Sequence, residues 1–186
     1  MRDGGGTDGG GTDGSSVVTL RAMDASDLDL VRRWMAEPHV VCWYLADSSI
    51  DEELDELRAC VAGEVPTHAL LVTEDGRPVG WCQWYRCDDY PEHAAGVGAA
   101  PGDLGIDYAV GDPDRIGRGV GTAMVAALVA HVTALHPTRG IVADPDARHA
   151  ASRRVLEKAG FHLVAERPVP SERSARPMAV YRRPAG

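Results

Sequence analysis

The sequence predicts one mixed α/β domain with a largely antiparallel central sheet flanked by helices. Two apolar runs, residues 68–73 and 78–85, flank Glu74-Asp75-Gly76-Arg77, and an Asp-Gly pair in that setting signals an antiparallel hairpin. Elsewhere strand-like runs are interleaved with segments whose apolar residues recur at helical spacing, as in Val125, Leu128, Val129, Val132 and Leu135. The chain has 186 residues, 44% of them hydrophobic, which suits one buried core and is too short for two substantial domains.

Residues 1–16 repeat Gly-Gly-Gly-Thr-Asp-Gly, a composition with no apolar surface to offset the entropy of ordering, and are predicted to be a disordered tail. The domain proper is 17–186. Residues 17–21 predict a first strand. Asp24 and Asp27 then offer a cap to a helix with Leu28, Val31, Trp34 and Met35 on one face, ended by Pro38. Ser48 and Ser49 precede Asp51, Glu52 and Glu53, the pattern of a helix start, and Gly63 is the expected terminator of a helix carrying Leu54, Leu57 and Val61.

After the hairpin, residues 87–103 show neither period and are expected to form a long loop over a substrate site. Residues 104–110 predict a strand, 117–121 a glycine turn, 122–135 a helix and 141–143 a short strand. A helix over 152–159 closed by Gly160, then strands at 162–165 and 178–182, complete the domain.

Nineteen Lys and Arg against 28 Asp and Glu give a net charge of -9, which repels nucleic acid and anionic lipid and attracts cations. The four cysteines, Cys42, Cys60, Cys82 and Cys87, form no C-x-x-C pair or zinc-ligand set, so free thiols and no metal are expected. No apolar run is long enough to span a membrane and no secretory signal is present; the expected location is cytoplasmic.

The segment richest in chemistry is Arg115-Ile116-Gly117-Arg118-Gly119-Val120-Gly121-Thr122. Alternate glycines between a strand and an apolar helix let backbone N–H groups converge at the helix N-terminus, where the dipole also favours an anion such as a pyrophosphate. A P-loop ending and a Rossmann fingerprint are both absent. On spacing alone, a tight structural turn explains these glycines equally well.

Together with Ile141-Val142-Ala143-Asp144-Pro145 and Leu156-Glu157-Lys158-Ala159-Gly160-Phe161, this turn resembles the coenzyme A half of the GNAT N-acetyltransferase superfamily. The resemblance implies the GNAT fold, acetyl-CoA as cofactor, and direct attack of an amine on the thioester in a ternary complex. It places Gly117, Arg118, Gly119, Val120, Gly121 and Thr122 at the pyrophosphate and Ala109 and Val110 along pantetheine. Ile116 stands where the family motif usually begins with Gln or Arg.

Four further stretches narrow the resemblance to aminoglycoside 6'-N-acetyltransferases: Arg21-Ala22-Met23 with Asp27-Leu28 and Trp34; His39-Val40-Val41-Cys42-Trp43-Tyr44; Pro78-Val79-Gly80-Trp81-Cys82-Gln83-Trp84-Tyr85; and Gly105-Ile106-Asp107. Asp107 is implied as the carboxylate that orients the acceptor ammonium and helps remove its proton; taken alone, without the resemblance, it reads first as a residue that caps or pairs structurally. Asp144 is a second ammonium ligand, or a turn residue before Pro145. Trp43, Tyr44, Gln83 and Tyr85 are expected to line the acceptor cleft, where aromatic faces attract ammonium groups, and Trp34 to be core. Asp88, Asp89, Glu92 and Asp103 are offered as acidic lining.

The chain departs from the family at Leu156, where relatives carry a tyrosine proposed as general acid, and at His149, where many have an asparagine near pantetheine. His149 either replaces that hydrogen bond or is a surface residue. The expected partner is a cationic small-molecule amine, foremost an aminoglycoside, with the protein a monomer or homodimer. A siderophore-pathway acyltransferase acting on hydroxylated lysine is the alternative, typically with histidine at the place of Asp107. Acetylation of a protein N-terminus and non-catalytic acyl-CoA sensing also stay open.

Overall fold

The computed structural model describes residues 16–45, 48–137, 139–170 and 176–185; most of the predicted Gly-rich tail lies outside them. Ser16, assigned to that tail by composition, donates its hydroxyl to Glu74 Oε1 at 2.8 Å. Seven strands, β1 (Val18–Ala22), β2 (Thr67–Glu74), β3 (Arg77–Arg86), β4 (Leu104–Val110), β5 (Ile141–Ala143), β6 (His162–Arg167) and β7 (Met178–Arg183), form one sheet ordered β1-β2-β3-β4-β5-β7-β6. All neighbours pair antiparallel except β4 and β5. The helices are α1 (Leu28–Met35), α2 (Pro38–Tyr44), α3 (Ile50–Ala62), α4 (Pro91–Val97), α5 (Val120–Leu135) and α6 (Ala150–Lys158).

Local chemistry accounts for the helix ends. Ser49 and Glu52 form a capping box at the start of α3, and Gly63 stops that helix in the left-handed region at φ 72°. Asp24 and Asp27 make a second capping box in the 3-10 turn before α1. Pro38 does more than stop α1: it is the first residue of α2, where its fixed φ suits a helix start.

The long loop expected over 87–103 is instead largely helical, with a 3-10 turn at Cys87–Asp89 followed by α4. Only Val97 of that seven-residue helix is buried, so no apolar stripe advertised it; Pro91 starts it and Gly98, at φ 67°, ends it.

Alternation along the strands separates two faces. Leu70, Val72, Cys82, Trp84, Leu104 and Ile106 pack against Val125, Leu128, Val129 and Val132 of α5. Ala69, Leu71 and Trp81, on the other face, pack against Val31, Trp34, Met35, Leu54 and Leu57 of α1 and α3. Trp34 is core as predicted, stacked on Trp81 with ring centroids 6.2 Å apart. Val97 of α4 meets Val142 and Val180 in a third cluster.

One irregularity positions everything that follows. β4 and β5 pair only at Leu104↔Ile141 and Gly105↔Val142, whereas β4 stays paired to β3 as far as Val110↔Gly80. Beyond Gly105 the sheet forks, leaving β4 paired to strand on one side only.

Candidate active site

A cleft of about 1320 Å³ opens at the fork and runs from α3 and α4 to the start of α5 and α6. Ile106, Asp107, Tyr108, Ala109 and Val110 of β4 all border it. Asp107 lies opposite Gln83 in the β3–β4 register, and Asp144 immediately follows β5 on the other arm. The fork therefore brings both predicted carboxylates into one cleft.

At one end stands the glycine turn. Gly117 and Gly119 take φ 73° and 87°, left-handed values that strain other residues, and a side chain at either would meet open space. Conformation, rather than crowding, thus explains these glycines. No side chain caps α5, so the first-turn N–H groups of Val120, Gly121 and Thr122 lack intrahelical acceptors and face an end where the dipole is positive.

Gly117, Gly119, Gly121 and Thr122 border the cleft. The Arg118 side chain instead points into a separate recess with Arg77, Asp112, Asp114 and Arg115, and the Val120 side chain is buried in the core. Neither of those two residues borders the cleft. Arg115 pairs with Glu74 at 3.2 Å.

The other end is aromatic and acidic. Gln83 Nε2 donates to Tyr44 Oη at 3.2 Å and Cys60 Sγ lies 3.8 Å from Gln83 Oε1. Burial, together with the charges of Asp107 and Glu53, pushes the Tyr44 phenol up. Tyr85 Oη lies 3.0 Å from His93 Nε2, and the same nitrogen lies 3.6 Å from Asp144 Oδ1.

The acidic wall comes from α3, through Glu53, Asp55 and Glu56, whereas Asp88, Asp89, Glu92 and Asp103 do not border the cleft. Asp103 is buried against Arg182 at 2.6 Å, and Asp88 accepts the Gly102 N–H. Periodicity had a signal for α3: Glu53, Glu56 and Cys60 recur at 3–4-residue spacing, on the side away from buried Leu54.

Trp43 and His149, assigned separately to acceptor and cofactor, stack on each other across the cleft, ring centroids 4.4 Å apart and planes 9° apart. Burial lowers the His149 imidazole, partly opposed by Asp146. Three residues that border the cleft carried no sequence assignment. His39 Nε2 lies 2.9 Å from the Val110 carbonyl, tying α2 to the end of β4. Tyr108 Oη meets Ser152 Oγ at 2.6 Å, one helical turn before Leu156, which is itself fully buried in the core. His93 is the third; it rides on the helix that periodicity missed.

Residues 24–169 match the model of the acetyltransferase (GNAT) domain. The chain belongs to the GNAT acetyltransferase family. As an acetyltransferase it is 30% identical over 158 residues to the lysine N-acyltransferase MbtK of Mycobacterium tuberculosis, covering 84% of this chain and 74% of that one. It is also 29% identical over 148 residues to the aminoglycoside N(6')-acetyltransferase type 1 of Klebsiella pneumoniae, covering 77% and 73%. The crystal structure of aminoglycoside acetyltransferase AAC(6')-Ib with coenzyme A and kanamycin superposes at a TM-score of 0.75 with 25% identity, over 90% of this acetyltransferase and 95% of that chain.

Proposed function

We propose that this acetyltransferase moves the acetyl group of acetyl-CoA to an amino group of an aminoglycoside, foremost the 6'-amine, in the cytoplasm, and thereby confers resistance. The observation that carries the reading is the cleft itself, where an uncapped helix N-terminus and an open strand edge at one end meet Asp107, Asp144, Glu53 and Glu56 at the other. The first half fits a pyrophosphate and an amide-bearing arm; the second fits a polycation.

Bound acetyl-CoA supplies an activated thioester. The α5 N–H groups offset pyrophosphate charge, and the unpaired edge of β4 offers hydrogen bonds that align the arm with Asp107. Asp107 attracts the acceptor ammonium and accepts its proton, so that the nitrogen lone pair faces the carbonyl carbon. Asp144 steadies a second charge from the other arm. Trp43 and His149 narrow the opening between the two binding regions.

The test is thiol release from acetyl-CoA with kanamycin, ribostamycin and hydroxylysine. Turnover is expected with an aminoglycoside, and Asp107→Asn is expected to lower kcat/KM about 100-fold or more. Turnover of hydroxylysine alone would replace this reading with the second one, which the identity to MbtK favours. An Asp107→Asn enzyme with wild-type kinetics would remove Asp107 from proton transfer.

A further inference from the structure

His93 stands where the sheet forks. Its Nε2 is 3.0 Å from Tyr85 Oη on β3 and 3.6 Å from Asp144 Oδ1 after β5. β3 and β5 lie on opposite sides of β4, so one imidazole links side chains from the two arms that frame the cleft. The arrangement is enclosed: the His93 side chain is 13% exposed and that of Asp144 is 7% exposed. Burial holds the imidazole below its ordinary value, so the ring is neutral at neutral pH.

Several groups stand near this ring or border the same cleft. Tyr85 packs edge-on against both His93 and Tyr90, and Tyr90 Oη lies 2.6 Å from Thr67 Oγ1 of β2. From β4 comes Asp107, and Arg176 and Met178 border the same cleft near β7. Cys87 is pushed up to about 12 by burial and then by Asp103 and Asp144, and carries no charge at neutral pH. Arg182 is held by Asp103 at 2.6 Å.

A neutral imidazole has one N–H and one lone pair, so Nε2 either accepts from Tyr85 or donates to Asp144, and in both cases adds no charge. A protonated ring would put a positive charge within 4 Å of the Asp144 carboxylate and reduce its attraction for a cation. We propose that His93 is a positioning residue of the acceptor site. Neutral, it packs between Tyr85 and Asp144 at the fork, bonding one of them at a time through Nε2, and leaves Asp144 charged for a cationic acceptor; protonated, it opposes that acceptor. The kinetic consequence rests on the cationic-acceptor reading above; the pairing with Asp144 does not.

Two measurements separate the two. The first follows the His93 Cε1–H resonance through a pH titration, assigned by its loss in His93→Gln. Asp144→Asn, by removing the adjacent negative charge, is expected to move the His93 midpoint down by about one pH unit. An unchanged midpoint would overturn the proposed pairing, whatever the substrate.

The second follows acceptor KM from pH 5.5 to 8.5. For wild type it is expected to rise as pH falls through the His93 midpoint. In His93→Gln it should be about 3- to 10-fold higher at pH 8, with a flatter pH profile and the KM for acetyl-CoA unchanged. An identical profile, or a loss confined to kcat, would overturn the positioning role. If no aminoglycoside is turned over, the proposed acceptor fails and the resonance titration still decides whether His93 and Asp144 form a pair.

Discussion

Gly105 shows how much of the site depends on an atom that is missing. A Cβ there would fall 2.2 Å from Cζ and 2.6 Å from Oη of Tyr85, because that ring lies across the strand directly opposite. Gly105→Ala would displace the ring, and with it the hydroxyl that meets His93. The expected cost is about 1–3 kcal/mol of stability, read by urea unfolding, together with a higher acceptor KM. A variant with wild-type stability and KM would show that Tyr85 has room to move without consequence. Gly-Ile-Asp is thus physically a unit: the glycine admits Tyr85, the isoleucine faces α5, and the aspartate, back on the glycine's face, enters the cleft.

Among the elements, α3 has a dual task, packing Leu54 and Leu57 against the sheet while presenting Glu53 and Glu56 to the cleft. Its capping box fixes where the first turn begins. Ser49→Ala is expected to lower stability by about 1 kcal/mol, measured as a shift in urea midpoint at constant slope. A larger effect on acceptor KM than on acetyl-CoA KM would follow from loosening only one wall; equal effects on both would argue against that division.

The elements also show what the sequence could disclose. Strong local signals, the Asp75-Gly76 turn, Ser49, Gly63 and the apolar stripe of α5, correspond to real boundaries. α4 stayed hidden because a short helix with one buried residue has no period to detect. The cleft residues divide in the same way. Asp107 and Asp144 could be picked out because they sit in short motifs, Gly105-Ile106-Asp107 and Asp144-Pro145, that carry the family resemblance. His93 and the Trp43–His149 stack were not, since their partners lie across the fork and sequence distance carries no trace of it.

For the whole molecule, the buried and paired ionisable groups predict the direction of acid instability. Burial lowers His93 and His149 from 6.5. Arg21 lowers Asp27, and Arg148 lowers Asp146, from 3.8. A depressed group binds its proton more readily when unfolded, so stability is present above the unfolded value and is lost as pH falls through the folded one. Urea midpoints should therefore decline in two stages, first below about pH 6.5 from the histidines and then below about pH 4 from the aspartates. His93→Gln should flatten the first stage; a midpoint independent of pH between 7 and 5 would contradict it.

The Trp43–His149 stack has an optical consequence. The other three tryptophans, Trp34, Trp81 and Trp84, are buried in the two main cores, whereas Trp43 sits in the cleft face to face with an imidazole. Any molecule that parts those rings changes the surroundings of the one indole that stands in the cleft. The protein carries its own fluorophore at the mouth of the site, and light emission from Trp43 reports arrival of a ligand before any bond has been made or broken.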